Sequence, residues 1–111
     1  MNIEEFILCV EKKPLMYVEK VRIDYIYYLI KGYLGGCLDK KQNIDVAFHS
    51  KFYQWVLKWI NDNTQKNFDK RASFHWHNIL TEISTDEKEA VELFFKLSKQ
   101  FFEEYRKNEH V

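Results

Sequence analysis

Cysteine occurs twice in these 111 residues, proline once and glycine three times. Cys9 and Cys37 lie in apolar helical contexts without CxxC spacing. They read as small buried hydrophobes in a reducing compartment rather than as a disulfide pair. An excess of charge of one sign is also missing, because seventeen basic and seventeen acidic residues cancel. That balance argues against a chain whose main task is to neutralise a nucleic-acid backbone or an anionic membrane. There is no long hydrophobic run. The N-terminal MNIEEFILCV is acidic, and its apolar stretch is broken by Glu11, Lys12 and Lys13. This fits neither a signal peptide nor a membrane span, so the expected location is cytoplasmic. No segment keeps the two-residue alternation of a strand beyond a few positions, and no period of roughly 20–50 residues recurs.

What remains is a helical pattern. Hydrophobic residues at 46% and aromatics at 17% supply an aromatic-heavy core for one domain, residues 1–111. Asn2 with Glu5 forms a capping-box pattern ahead of Ile3, Phe6, Ile7 and Val10, which predicts a first helix to about Lys12. Pro14 then breaks the chain, and Met16 and Tyr17 are expected to fill the corner. A second helix, expected to be central, runs from about Glu19 to Leu34 or slightly beyond. Ile23, Ile26, Ile30 and Leu34 form one stripe on it, and Tyr25, Tyr28 and Leu29 the next. Gly32 inside it costs about 1 kcal/mol against alanine, which usually marks close packing.

Asp45 is the expected N-cap of a third helix carrying Phe48, Phe52, Trp55, Val56, Trp59 and Ile60. Asn61 to Ala72 reads as the longest loop. Ser73 caps a short fourth helix with Trp76, Ile79, Leu80 and Ile83 inward, and Ser84 or Thr85 opens the last, with Ala90, Phe94, Leu97, Phe101 and Tyr105 inward. The expected fold is all-α, a compact bundle of about five helices with Trp55, Trp59, Trp76 and Phe94 in its core.

Chemistry-bearing residues are sparse. His75 and His77 flank Trp76, but side chains two apart on a helix point about 200° from one another, and HExxH, ExxH and CxxC are all absent. No metal and no cofactor is expected. No nucleophile elbow and no glycine-rich phosphate loop is present, and no enzyme is expected, although His75 or His77 with Lys70, Arg71 and Glu82 could be imagined cleaving a phosphodiester. Lys66, Lys70 and Arg71 around Phe68 are either a solvated loop or a grip on single-stranded nucleic acid, the alternative function for the Lys66–His77 region. Glu82, Asp86, Glu87, Glu89 and Glu92 gather negative charge where the last two helices meet, as macrodipole compensation or as a docking face. Tyr27 cannot share a face with Tyr25 and Tyr28. It either lies in a groove between helices or is exposed for a protein partner.

KKPLMYVEKVRIDYIYYLIKGY resembles a pattern in small bacterial proteins, an R/K-x-P-x-M-Y segment followed by a helix ending in GY. FYQWVLKWI, then Ser73 and Trp76, then the acidic-started TDEKEAVELFFKLSKQFFEEY extend the likeness over most of the chain. Val18 and Glu19 stand where those proteins have a glycine after Met-Tyr, and SFHW replaces an adjacent serine and tryptophan. Many of these proteins are immunity proteins of contact-dependent growth inhibition and other polymorphic toxin systems. The resemblance implies a non-enzymatic inhibitor, monomeric or homodimeric, that binds the C-terminal domain of a cognate toxin, a nuclease by preference, and binds neither membrane nor nucleic acid. It carries over no catalytic residue. The partner-binding candidates are Glu82, Asp86, Glu87, Glu89 and Tyr27, and charge reversal at Glu87 and Glu89 is expected to weaken the complex while leaving the fold intact.

Overall fold

The computed structural model describes residues 1–35, 42–66 and 75–109. They form five α-helices, α1 (Ile3–Lys12), α2 (Ile23–Gly35), α3 (Asn43–Asn63), α4 (Trp76–Ile83) and α5 (Glu87–Glu109), with one 3₁₀ turn at Pro14–Met16. The expected all-α bundle is what folds, and no strand occurs among the described residues. The molecule is 24 Å thick, which is two helix diameters and so two layers. α5 packs against each of the other four helices, which makes it the hub in place of the second helix. It can do so because its buried set, Ala90, Val91, Phe94, Phe95, Leu97, Phe101 and Phe102, is wider than a single stripe.

Two ion pairs fix how α1 lies on α5. Glu4 meets Arg106, and Glu11 meets Lys99 at 2.8 Å, so an advance of two turns along α1 is a retreat of two turns along α5. The helices are antiparallel. Inside, Phe52 is the pivot of the core. Phe48 stacks on it at 4.4 Å, and Trp76, Phe94 and Phe101 meet it edge-on at 5.5–6.0 Å. Trp76 in turn stacks on Phe94 at 4.6 Å. Such pairs add about 0.5–1.5 kcal/mol each beyond the area they bury.

Four of the five helices have a carboxylate at their start, and it is not always the one nearest in sequence. Asn2 and Glu5 form the expected capping box on α1. Asp45 is not the N-cap of α3 but lies one turn inside it, below Gln42, whose N–H it accepts at 2.8 Å. Its other oxygen accepts the N–H of Ile3, the first residue of α1, at 2.6 Å, and the side chain is buried with 3% exposed. α2 begins at Ile23, later than Glu19, and the Ile23 N–H is met by the carboxylate of Glu87 from the start of α5. α5 itself opens one residue beyond the expected Ser84 or Thr85, on Asp86, which accepts the Glu89 N–H at 2.8 Å.

Several side chains lie elsewhere than the periodicity suggests. Met16 does not fill the Pro14 corner but is 73% exposed, and the corner is closed by Tyr17 edge-on to Phe6 at 5.6 Å. A Cβ on Gly32 would meet nothing within 4 Å, so this glycine serves no close packing. Trp55 and Trp59 are only partly buried, because the interior stripe of α3 is Phe48, Phe52, Val56, Leu57 and Ile60. α3 continues to Asn63, which shortens the expected loop from its N-terminal side. Gly36, Cys37 and Ser73 lie outside the described residues. Cys9 is a free thiol of intermediate burial. No helix among the described residues is long and apolar enough to cross a membrane.

Candidate functional site

The bond from Ile23 to Glu87 draws the first turn of α2 onto the α4–α5 junction. Between them opens a cleft of about 510 Å³ lined by Arg22, Asp24 and Tyr28 on one side and by His77, Asn78, Thr81, Glu82 and Glu87 on the other. Three carboxylates face one guanidinium there, although the chain as a whole is neutral. Two stretches that the sequence offers as separate candidates, the acidic junction and the tyrosine-rich helix, are therefore neighbours.

The five singled-out residues divide unequally within this arrangement. Glu82 and Glu87 line the cleft, but Glu87 is half-buried and occupied with the α2 start. Asp86 and Glu89 are exposed and serve their own helix. Asp86 caps it, and Glu89 accepts the Thr85 hydroxyl at 2.8 Å. Tyr27 is not a surface tyrosine at all. It is 8% exposed, its hydroxyl lies 2.9 Å from His75 Nδ1, and its ring meets Trp76 edge-on. The reason lies in the spacing, since Tyr27 is four residues after Ile23 and three before Ile30 and so belongs to the buried stripe. The most exposed tyrosine of α2 is Tyr28, at 61%, against 37% for Tyr25. Tyr28 is the site residue that sequence reasoning missed, and the same register that buries Tyr27 turns it outward.

Arg22 and Asp24 form a planar fork at the cleft's edge, with Arg22 Nε to Asp24 Oδ1 at 3.1 Å and Nη2 to Oδ2 at 3.3 Å. The guanidinium also lies 5.5 Å from the centre of the Tyr25 ring. Burial pushes the Asp24 carboxyl up, but its bond to Arg22 and that residue's charge outweigh burial and hold it below the ordinary range.

His75 and His77 behave differently from two residues on one helix. His75 is the N-cap of α4, with extended backbone at φ −86° and ψ 161°, so its ring is swung back to stack on that of His77 at 5.8 Å and 9°. His77 is 7% exposed, and it lies against Tyr27 at 4.1 Å. Burial first, and then the neighbouring His75, lower its pKa, with Asp24 pulling weakly the other way. Its Nδ1 is buried without a hydrogen-bond partner among the described residues. No three His, Cys, Asp or Glu side chains come together there as a metal-ligand set.

Lys70, Arg71 and Phe68 lie outside the described residues. Lys66 points its ammonium at the backbone carbonyl of Glu82, 3.0 Å away, where a cation suits the end of α4. A second depression, of about 330 Å³ between α3 and α5, is lined by Trp55, Phe101, Glu104 and Tyr105. Its indole N–H already donates to Glu104 at 2.7 Å, and its charges are balanced by Lys51. The cleft at the α4–α5 junction is the better candidate because it has both an excess of one charge and an orphaned polar atom. No protein-family model matches this sequence, and no curated protein or solved structure is similar enough to stand as its relative.

Proposed function

We propose that this chain is a non-enzymatic immunity protein, acting in the cytoplasm, that binds the C-terminal domain of a cognate bacterial toxin, in the sharper form a nuclease, and neutralises it by protein–protein contact. The observation that carries the reading is charge segregation. A neutral chain collects three carboxylates against one guanidinium in one cleft and sets an exposed tyrosine beside them. A surface that holds phosphate is basic, so an acidic face with an aromatic anchor complements it in charge and supplies the desolvated contact that tight binding needs. The likeness of KKPLMYVEKVRIDYIYYLIKGY to immunity proteins points the same way. The nucleic-acid reading has less to stand on, since Lys66 is engaged by the carbonyl of Glu82.

The test is co-expression with the toxin domain encoded directly upstream. Growth is restored and the purified pair associates, with toxin activity titrated out at a fixed ratio of the two proteins. Failure of the two to associate overturns the reading.

A further inference from the structure

We infer that the cleft between α2 and α4 is a receptor for an arginine side chain of the protein partner, with the Tyr28 ring as its platform, the Glu82 carboxylate as its counter-charge and the orphaned ring nitrogen of His77 as a further acceptor. This rests on the partner-binding reading above and names the chemistry that the partner must present.

Three observations converge on it. The first is that Glu82 is exposed, lines the cleft, and has no described residue hydrogen-bonded to its carboxylate, unlike Asp24 and Glu87. Lys66 approaches only its backbone oxygen. The second is His77, more than nine-tenths buried and part of the cleft wall, with Nδ1 unpartnered. Leaving a buried polar atom unpaired is costly, and a donor that reaches it from the cleft would recover that cost. The imidazole stays neutral there because burial lowers its pKa, so it does not repel a cation. The third is an internal precedent at the cleft's own edge. Arg22 lies over Tyr25 and forks onto Asp24, which is the combination of ring face and carboxylate that Tyr28 and Glu82 offer with no cation on them among the described residues. Tyr28 stands edge-on to Tyr27 at 5.2 Å, and its ring centre is 6.0 Å from that of His77, so platform and acceptor are adjacent. A guanidinium suits this set better than an ammonium. It is planar, stacks on an aromatic face, and spreads its N–H donors over a carboxylate and a second acceptor at once.

Two experiments test this, and they separate it from the function proposed above. In the first, the dissociation constant of the complex with the toxin domain is measured for the native chain, Tyr28→Ala and Glu82→Gln, with Glu104→Gln in the separate α3–α5 depression as control. The two cleft variants weaken binding by roughly tenfold or more and the control does not. If the complex forms but both variants bind as the native chain does, the receptor is refuted and the function stands. In the second, the chain alone is titrated with N-acetyl-arginine amide and, separately, with the lysine counterpart, up to about 100 mM, the range that a single side chain's millimolar affinity requires. Saturable shifts of the Tyr28 and His77 ring resonances, stronger with arginine and lost in Glu82→Gln, are the expected result. No shift, or equal shifts with lysine, overturns the proposal even where the toxin is bound.

Discussion

Asp45 and Glu87 do one job in two settings. Each carries its carboxylate to the first N–H of a helix far away in sequence, Asp45 to Ile3 and Glu87 to Ile23. Asp45 does so in the interior, with both oxygens taken, one by α1 and one by the start of its own α3. Glu87 does so half-buried on the wall of the cleft. A helix start exposes N–H groups that need acceptors and a positive dipole end that favours a negative charge. The same physics thus yields a sealed joint at one place and a joint on the wall of an open cleft at the other. Acidic residues at a helix junction are accordingly not all available to a partner. Among the candidates in the cleft, Glu82 alone has a carboxylate that no described residue engages.

The sharpest break of the comparison is Asp45→Ala. It removes two hydrogen bonds to a charged acceptor and leaves the buried Ile3 N–H unsatisfied, so a loss of about 3 kcal/mol is expected from denaturant unfolding. Glu87→Ala comes next. Water can replace part of what is lost at a half-buried site, and a loss of about 1–2 kcal/mol is expected, in line with an ordinary N-cap. If Glu87→Ala is as costly as Asp45→Ala, exposure does not separate the two joints. If it is free, Glu87 is not a cap and returns to the binding face. Charge reversal at Glu87 and Glu89 together, which the sequence presents as harmless to the fold, should therefore destabilise α2 as well as any complex.

How far each joint was legible in the sequence follows from the same distinction. The local caps were: Asn2 with Glu5, and an acidic first turn on α5, need only neighbours three residues apart. The long-range ones were not, because nothing in the spacing of residues 23 and 87 says that the two will meet. The helical stripes give the fold class and most of the core, including Trp76, Phe94 and Leu97. They leave Tyr27 undecided between a groove and the surface because the second helix carries tyrosines at three nearby positions, and hydrophobicity alone does not choose among them. Strict counting from Ile23 and Ile30 would have chosen correctly. Trp55 and Trp59 fall at the margin of the α3 stripe, where an amphipathic ring can lie half out with its N–H satisfied by Glu104 or its face covered by Lys96, 5.7 Å from the Trp59 ring centre. Of the site, the acidic half was visible and the orphaned histidine was not, since burial of a polar ring is decided by packing.

The cleft end should also respond to mild acid through His77. His77 has its pKa lowered from the ordinary 6.5 by burial and by His75. The unfolded chain takes up a proton there before the folded chain does, so this contribution to stability is whole above pH 6.5 and is lost as the pH falls toward the folded-state value. Unfolding followed from neutral to mildly acidic pH should show that decline, and His77→Phe should flatten it. An unchanged slope in the variant would place the acid response elsewhere.

The smallest expected effect on the fold is the one that isolates the site. Glu82 has an exposed side chain, caps no helix and lies near the end of α4, where a negative charge gains nothing from the macrodipole. Glu82→Gln should therefore shift stability by no more than about 0.5 kcal/mol, as surface substitutions generally do. Set beside Glu87→Gln, which keeps an oxygen for the Ile23 N–H but loses the charge on it, the pair separates what the cleft's charge does for the fold from what it does for a partner. If Glu82→Gln destabilises the chain as much as Glu87→Gln does, the cleft's negative charge is wholly architectural. If only Glu87→Gln is felt, the Glu82 carboxylate contributes nothing measurable to the fold and its charge is available to a partner.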